Sequence, residues 1–228
     1  DGIMIGGGWL DYETKQLVQQ LCPNAQIKEF YGAAETSFIT ISDPSTPLGS
    51  VGQPYKDVNI KVLDADENKV KAGNSGEIWI KSPYLFSHYA EGAKQHTRWR
   101  NGWLSIGELG KLDAKENLYL TGRKSRVFMI ADQNIYPDEI EVALSRHPDI
   151  TMALVTDFPD KMRGSIAVGV IATKSGEIPR DMGNWSRQNL SARSRPAIFV
   201  HLPAEDWPLL NSGKPDMMEI RNMVGEKI

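Results

Sequence analysis

The sequence predicts a mixed α/β and α+β fold made of three consecutive parts. A strand–helix–strand pattern opens the chain, polar and apolar residues alternate in its middle, and strands and helices follow one another to its end. We therefore expect the end of an α/β subdomain at residues 1–48, a small β-rich subdomain with a distorted barrel at residues 49–123, and a compact α+β domain at residues 124–228.

The first part is predicted from apolar strands that lie before and after a helix in the sequence. Residues 3–5 predict a strand, and residues 27–30 and 38–41 predict two more. Between the first and the second of these strands, apolar residues recur at helical spacing on one face, at Leu10, Leu17, Val18 and Leu21. Pro23 ends this helix, because proline cannot continue the backbone hydrogen bonding.

The middle part begins with a loop rich in glycine and proline. Residues 59–62 and 77–80 then alternate between polar and apolar side chains. Alternation with a period of two predicts antiparallel strands with one solvated face. The β-rich subdomain follows from these runs.

The last part has the signals of a separate α+β domain. Pro137 followed by Asp138 and Glu139 predicts a helix start, because proline suits the first turn and acidic side chains favour the positive end of the helix dipole. Further strands are predicted at residues 151–156, 166–172 and 198–202, and further helices at residues 180–191 and 215–224.

Composition excludes several classes of function. The 26 Lys and Arg residues are balanced by 29 Asp and Glu residues, which leaves a net charge of −3. No basic field therefore attracts nucleic acid or anionic lipid, and we expect small-molecule partners. No apolar run reaches the roughly 20 residues that a membrane span requires, and we expect a cytoplasmic protein. Cys22 is the only cysteine, which excludes an internal disulfide and a thiolate zinc site.

Four short motifs occur in a fixed order along the chain. They are residues 31–35 (Tyr-Gly-Ala-Ala-Glu), 107–110 (Gly-Glu-Leu-Gly), 122–125 (Gly-Arg-Lys-Ser) and 212–214 (Ser-Gly-Lys). Together they resemble successive core motifs of the adenylate-forming superfamily, which includes acyl-CoA and aryl-CoA synthetases, adenylation domains of peptide synthetases, and luciferases. The resemblance runs through nearly the whole chain and favours the C-terminal portion of an acyl-CoA synthetase, in which residues 124–228 form a lid.

The resemblance implies a two-step reaction with ATP, Mg²⁺ and CoA. A carboxylic acid first attacks the α-phosphate of ATP to give an acyl-adenylate, and the acyl group then passes to the thiol of CoA. Because the first step brings two anions together, positive charge must be supplied near the reacting oxygens. The resemblance assigns Lys214 to adenylation, and Glu35 both to catalysis and to magnesium binding.

The resemblance also assigns five residues to the nucleotide. The ring of Tyr31 is expected to lie against adenine, and the backbone of Gly32 and Ala33 to pass close to the nucleotide. Glu108 stands where the family usually has an aspartate that accepts hydrogen bonds from both ribose hydroxyls. Arg123 matches an arginine that contacts ribose or phosphate.

Three positions depart from the family pattern. Ala34 replaces a Thr or Ser that gives the phosphate a hydroxyl donor, and Thr36 carries the nearest remaining hydroxyl. Ser125 stands at the hinge position, where Asp or Lys is usual. Ala131 and Asp132 replace two glycines that line the pantetheine tunnel in CoA ligases, so that a bulkier pair is expected to hinder thioester formation.

Three questions stay open at this stage. The Ser/Thr/Gly-rich phosphate loop that precedes the Tyr-Gly turn in the family is absent from this sequence. The chain is then a fragment of a longer enzyme, which we expect, or a truncated product that needs a second polypeptide. The acyl acceptor is CoA or, in the nearest alternative, the phosphopantetheine of a carrier protein. An alternative of another class is a non-catalytic domain that binds a nucleotide or a partner.

Overall fold

The computed structural model describes residues 2–6, 12–90, 97–211, 213–226 and 228, and for residues 12–15 only the course of the backbone. Contacts divide the chain into two compact units, Asp1–Lys124 and Ser125–Ile228. We call them the first and the second unit.

The first unit opens with a four-stranded sheet. Its elements are β1 (Gly2–Ile5), α1 (Tyr12–Leu21), β2 (Gln26–Ala33), β3 (Ser37–Ile41) and β4 (Gln53–Pro54). Strands β1 and β2 are parallel and are joined through α1, which confirms the α/β prediction, whereas β3 and β4 add antiparallel neighbours. Leu17 and Leu21 are exposed within the described residues, and Leu10 lies outside them. Cys22, after the helix end, is exposed.

A second sheet of six strands forms the rest of the first unit. Its strands are β5 (Asn59–Leu63), β6 (Gly76–Lys81), β7 (Arg98–Arg100), β8 (Trp103–Ser105), β9 (Glu108–Leu112) and β10 (Leu118–Arg123). Strand β6 is central, with β5 along one edge and β8 and β9 along the other. The β-rich character is confirmed, but the expected barrel is wrong. Strands β10 and β7 end the strand order without pairing with each other in the described residues, so the sheet is open.

One apolar cluster joins the two sheets of the first unit. Its buried members are Ile39, Val51, Val58, Ile78, Ile80 and Leu118. The backbone amide of Val51 also donates to the carbonyl of Leu118, at 2.9 Å. The placement of domain boundaries after residues 48 and 123 stays a prediction.

The second unit has the predicted α+β composition. Its elements are β11 (Phe128–Ile130), β12 (Gln133–Ile135), α2 (Pro137–Leu144), β13 (Ile150–Asp160), β14 (Gly164–Thr173), α3 (Met182–Asn189), β15 (Ile198–His201) and α4 (Met217–Gly225). Strands β13, β14 and β15 form one sheet with an apolar cluster on each face. Helices α2 and α3 contribute to one cluster, and α4 contributes to the other.

An ion-paired arginine ties the start of the second unit to α2 and β13. Arg126, whose side chain is 12% exposed, donates to Asp138 Oδ1 at 2.7 Å and to Glu141 Oε2 at 2.9 Å. Glu141 Oε1 also accepts from the amide of Val155 at 2.6 Å. Burial acts to lower the pKa of Arg126, but the bonds and charges of Glu141 and Asp138 outweigh it and raise the pKa. The arginine therefore stays charged where it is buried.

A two-residue turn joins β11 to β12. Ala131 and Asp132 at this turn have φ angles of 46° and 63°. Both angles lie in the left-handed region, which favours glycine and disfavours alanine.

The described residues contain no helix with the length and apolar character that a membrane span requires.

Candidate functional site

The turn between β2 and β3 is shaped by a close backbone approach at Gly32. A Cβ atom on this residue would lie 1.9 Å from the carbonyl oxygen of Ser37, so no other residue fits without moving the backbone. The pairing shifts at this point, since Tyr31 pairs with Thr40 and Gly32 pairs with Phe38. The resulting bulge re-aims the side chains on either side of it.

Thr36 stabilises this turn from inside. The residue is fully buried, and its Oγ1 accepts a hydrogen bond from the amide of Ala33 at 2.9 Å. Its single proton goes to the carbonyl of Ala33 or of Ser37. The hydroxyl of Thr36 is therefore used within the turn and does not replace the donor that Ala34 lacks.

Glu35 is the middle residue of the turn and is half-buried. Its Oε1 accepts a hydrogen bond from the hydroxyl of Tyr89 at 2.8 Å, and its carbonyl accepts from the amide of Phe86 at 2.9 Å. The rings of Phe86 and Tyr89 meet edge to face, with centroids 4.8 Å apart. Sequence reasoning missed Tyr89, because no local spacing connects residues so far apart in the chain.

Glu108 and Arg123 are held opposite each other in neighbouring strands. Strand β9 begins at Glu108 and β10 ends at Arg123, and the two residues pair in the register of the sheet. Arg123 Nε donates to Glu108 Oε1 at 3.0 Å. The side chain of Glu108 is 12% exposed and that of Arg123 is 60% exposed. The pair therefore keeps the carboxylate sheltered while the guanidinium faces solvent.

Tyr31 lies within electrostatic reach of this pair. Its hydroxyl is buried and makes no hydrogen bond with any residue that the structure describes. Burial is the main cause that raises the pKa of Tyr31, the charge of Glu108 raises it further, and Arg123 opposes both. The structure thus brings Tyr31, Glu108 and Arg123 into one neighbourhood, and Gly32 and Ala33 continue the strand from Tyr31.

The residues present fit a magnesium ion that is completed by a nucleotide. Among the described residues no three His, Cys, Asp or Glu side chains cluster as a metal cage. Mg²⁺ usually binds through one or two carboxylates together with substrate phosphates. The half-buried carboxylate of Glu35 could supply one such ligand. The assignment of magnesium binding to Glu35 stays a prediction.

Lys214 lies in the second unit, in a tight loop before α4. Gly213 has a φ of 76°, and the amide of Leu210 donates to the carbonyl of Lys214 at 2.8 Å. The helix begins shortly afterwards, where Asp216 accepts hydrogen bonds from the amides of its first turn. The loop presents the lysine as an exposed side chain. Ser212, the first residue of this motif, lies outside the described residues.

Two family profiles match the chain. The profile described as "AMP-binding enzyme" matches residues 2–90, and that described as "AMP-binding enzyme C-terminal domain" matches residues 139–214. The chain belongs to the AMP-binding enzyme family. Within this family it corresponds to the C-terminal portion, and its relatives include acyl-CoA ligases.

Curated relatives of this chain carry ligase names. The uncharacterized acyl-CoA ligase YhfT of Bacillus subtilis (strain 168) is 30% identical over 99% of this chain and 46% of its own length. The 2-succinylbenzoate-CoA ligase of Enterococcus faecalis is 30% identical over 93% of this chain and 44% of its own. The chain spans about half the length of these curated relatives.

Solved structures show the same architecture. The O-succinylbenzoate coenzyme A synthetase (MenE) of Bacillus subtilis in complex with ATP and magnesium ion superposes with a TM-score of 0.83 at 27% identity, over 97% of this chain and 46% of that one. The same enzyme with its acyl-adenylate intermediate gives a TM-score of 0.81 at 28% identity, over 96% of this chain and 46% of that chain. The mixed α/β and α+β fold is therefore that of adenylate-forming enzymes.

Proposed function

We propose that the protein to which this chain belongs is an AMP-forming acid–thiol ligase, an acyl-CoA synthetase. It activates a carboxylic acid with ATP and then forms a thioester with CoA. The observation that carries the proposal is the strand register that pairs Glu108 with Arg123 beside Tyr31. The names of the curated relatives support the same reaction.

The first-unit residues suit the nucleoside part of ATP. Glu108 contributes a carboxylate beside Arg123, and carboxylate oxygens accept hydrogen bonds from ribose hydroxyls. Arg123 is exposed enough to add a contact to ribose or phosphate. Tyr31 offers a rigid aromatic face for adenine.

Lys214 and Glu35 suit the charged part of the reaction. In the first step a carboxylate oxygen of the acid bonds to the α-phosphorus and pyrophosphate leaves. The ammonium of Lys214 would stabilise the negative charge on these oxygens. A magnesium ion at Glu35 would add charge neutralisation at the phosphates. In the second step the sulfur of CoA bonds to the acyl carbon and AMP leaves.

The acceptor and the location are parts of the same proposal. CoA ligases among the relatives favour CoA as the thiol. The hairpin turn at Ala131 and Asp132, where glycines are usual, favours a carrier-protein phosphopantetheine as the second candidate. The proposed location is the cytoplasm, where ATP and CoA are available.

Lys214→Ala tests the assignment in the full-length protein. We expect the variant to lose acyl-AMP formation, measured as hydroxamate trapping and as acid-dependent exchange of pyrophosphate into ATP, by about a hundredfold or more, because a preorganised charge at the reacting oxygens is lost. Thioester formation from supplied acyl-AMP should stay within about threefold of the unmodified protein, because this step expels AMP rather than pyrophosphate.

Lys161→Ala is the matched control, since Lys161 is another exposed lysine in a turn of the second unit. This variant should keep both steps. Equal loss of the two steps in Lys214→Ala would contradict the role of Lys214 in adenylation. Absence of acid-dependent exchange in the unmodified full-length protein would contradict the proposed function itself.

A further inference from the structure

A buried carboxylate near the Glu108–Arg123 pair is not among the residues that the proposed function uses. Glu77 lies in the central strand β6, and its side chain is 9% exposed. Its Oε1 accepts a hydrogen bond from Ser105 Oγ at 2.6 Å, and its Oε2 accepts from Arg98 and from Lys124 Nζ, the latter at 3.3 Å. We call these four residues, Glu77, Arg98, Ser105 and Lys124, the Glu77 network.

The Glu77 network keeps this carboxylate ionised. Burial acts to raise its pKa, but the hydrogen bonds from Arg98 and Ser105 and the charges of Arg98 and Lys124 outweigh burial and hold the pKa below its usual value. A buried charge with this many partners is costly to disturb, because removing one partner leaves desolvated charge behind.

The network closes a ring of hydrogen bonds through Gly107. A serine hydroxyl has one proton, and since Ser105 donates it to Glu77, its oxygen accepts from the amide of Gly107 at 3.1 Å. The carbonyl of Gly107 in turn accepts from the amide of Lys124 at 2.8 Å. Lys124 Nζ completes the ring at Glu77.

This ring lies directly beside the pair that the proposed function assigns to ribose. Glu108 follows Gly107 in the chain, and Arg123 precedes Lys124. Both partners of the pair are thus fixed by a neighbour whose backbone belongs to the ring. A shift of Lys124 or of Gly107 would change the direction in which Arg123 and Glu108 present their polar atoms.

We propose that Glu77 is a positioning residue for nucleotide binding, which acts through Ser105 and Lys124 on the Glu108–Arg123 pair. The inference rests on the proposed function, because it takes this pair as the group that binds ribose. Glu77 is not catalytic in this role, since it contacts other side chains rather than the nucleotide.

Calorimetric titration of the full-length protein with AMP and with 2′,3′-dideoxy-AMP tests the inference. We expect Glu77→Gln and Lys124→Met to bind AMP about fivefold more weakly, while their affinity for the dideoxy nucleotide stays within about twofold of the unmodified protein. The analogue lacks both hydroxyls, so the loss of their hydrogen bonds to Glu108 cannot weaken its binding further. Lys124→Arg keeps the charge and should restore AMP affinity to within about twofold.

A steady-state comparison adds a second readout. The Michaelis constant for ATP should rise in both weakened variants with little change in kcat, because ribose contacts are made equally in ground and transition states. Lys124 has a 59% exposed side chain, and Arg98 and Ser105 still contact Glu77 when it is replaced, so Lys124→Met should lower the unfolding temperature less than Glu77→Gln does. Lys81→Met, at an exposed position of the same strand as Glu77, is the matched control and should bind both nucleotides normally.

The outcomes separate the two proposals. Equal weakening of AMP and dideoxy-AMP in Lys124→Met, or no weakening of either, would overturn the positioning role while leaving the proposed function standing. A full-length protein that binds neither nucleotide would overturn the proposed function and, with it, this inference.

Discussion

At the scale of single residues, the candidate site depends on side chains that hold other side chains. Thr36 stabilises the turn that contains Glu35, Tyr89 donates to the carboxylate of Glu35, and Arg123 contacts Glu108. Each of these bonds fixes a polar atom in one direction before any ligand arrives. Such preorganisation lowers the cost of binding, because less side-chain freedom is lost in the complex.

Tyr89→Phe removes one such bond without removing the ring. We expect the magnesium concentration that half-saturates the full-length protein to rise by about threefold, because the carboxylate of Glu35 then loses the hydrogen bond that orients it. Isothermal titration with Mg²⁺ in the presence of ATP measures this change directly.

The ring contact with Phe86 should survive the substitution, so the unfolding temperature is expected to stay the same. Tyr84→Phe, at an exposed tyrosine of the same unit, serves as the control and should leave magnesium binding unchanged. A Tyr89→Phe protein with unaltered magnesium dependence would show that the bond does not orient Glu35.

At the scale of elements, the sequence predicts strands and helices well and predicts tight turns poorly. The period-two runs at residues 59–62 and 77–80 became the antiparallel pair β5 and β6, and the proline signal at residue 137 became the start of α2. Bulges escape such reasoning, because the extra residue is defined by the partner strand. Thr121 in β10 is an example, since the register with β9 shifts between Leu120 and Gly122.

The hairpin turn between β11 and β12 gives a prediction at this scale. Ala131→Gly should raise the free energy of unfolding of the second unit by about 1 kcal/mol, because alanine in the left-handed region costs energy that glycine does not. Ala131 is exposed, so the substitution removes little packing. Urea unfolding followed by circular dichroism measures the change.

The same substitution at a position with ordinary backbone geometry is the control. Ala143→Gly, within α2, should lower rather than raise the stability of the second unit, because glycine is unfavourable in a helix interior. If Ala131→Gly also lowered stability, the strain assigned to the turn would be absent.

At the scale of the whole molecule, each unit has a core of its own. The cluster around Ile39 and Leu118 lies in the first unit, and those around Ile140 and Ile220 lie in the second. The sequence alone indicates these parts through composition and periodicity. It does not reveal which polar residues end up beside one another, because the contacts of Glu35 with Tyr89 and of Glu77 with Lys124 span distant segments.

Arg126→Met tests how the second unit is held together. We expect it to destabilise this unit by about 3 kcal/mol, because Asp138 and Glu141 would keep their partly buried charges without a cationic partner. Hydrogen exchange read by mass spectrometry should show faster exchange in peptides from α2 and β13, and normal exchange in peptides from the first-unit core.

Arg146→Met, at an exposed arginine beyond the end of α2, is the corresponding control and should leave exchange unchanged. Unaltered exchange around α2 in Arg126→Met would mean that the buried ion pairs do not hold the helix to the sheet.

The backbone contact at Gly32 limits which substitutions the turn between β2 and β3 can accept. A mutation that adds even one methyl group there collides with the carbonyl of Ser37, which the strand pairing holds in place. Ala34, two residues away, faces solvent and can accept new side chains. Substitutions in this turn are therefore expected to be tolerated at residue 34 and to disturb the strand pairing at residue 32.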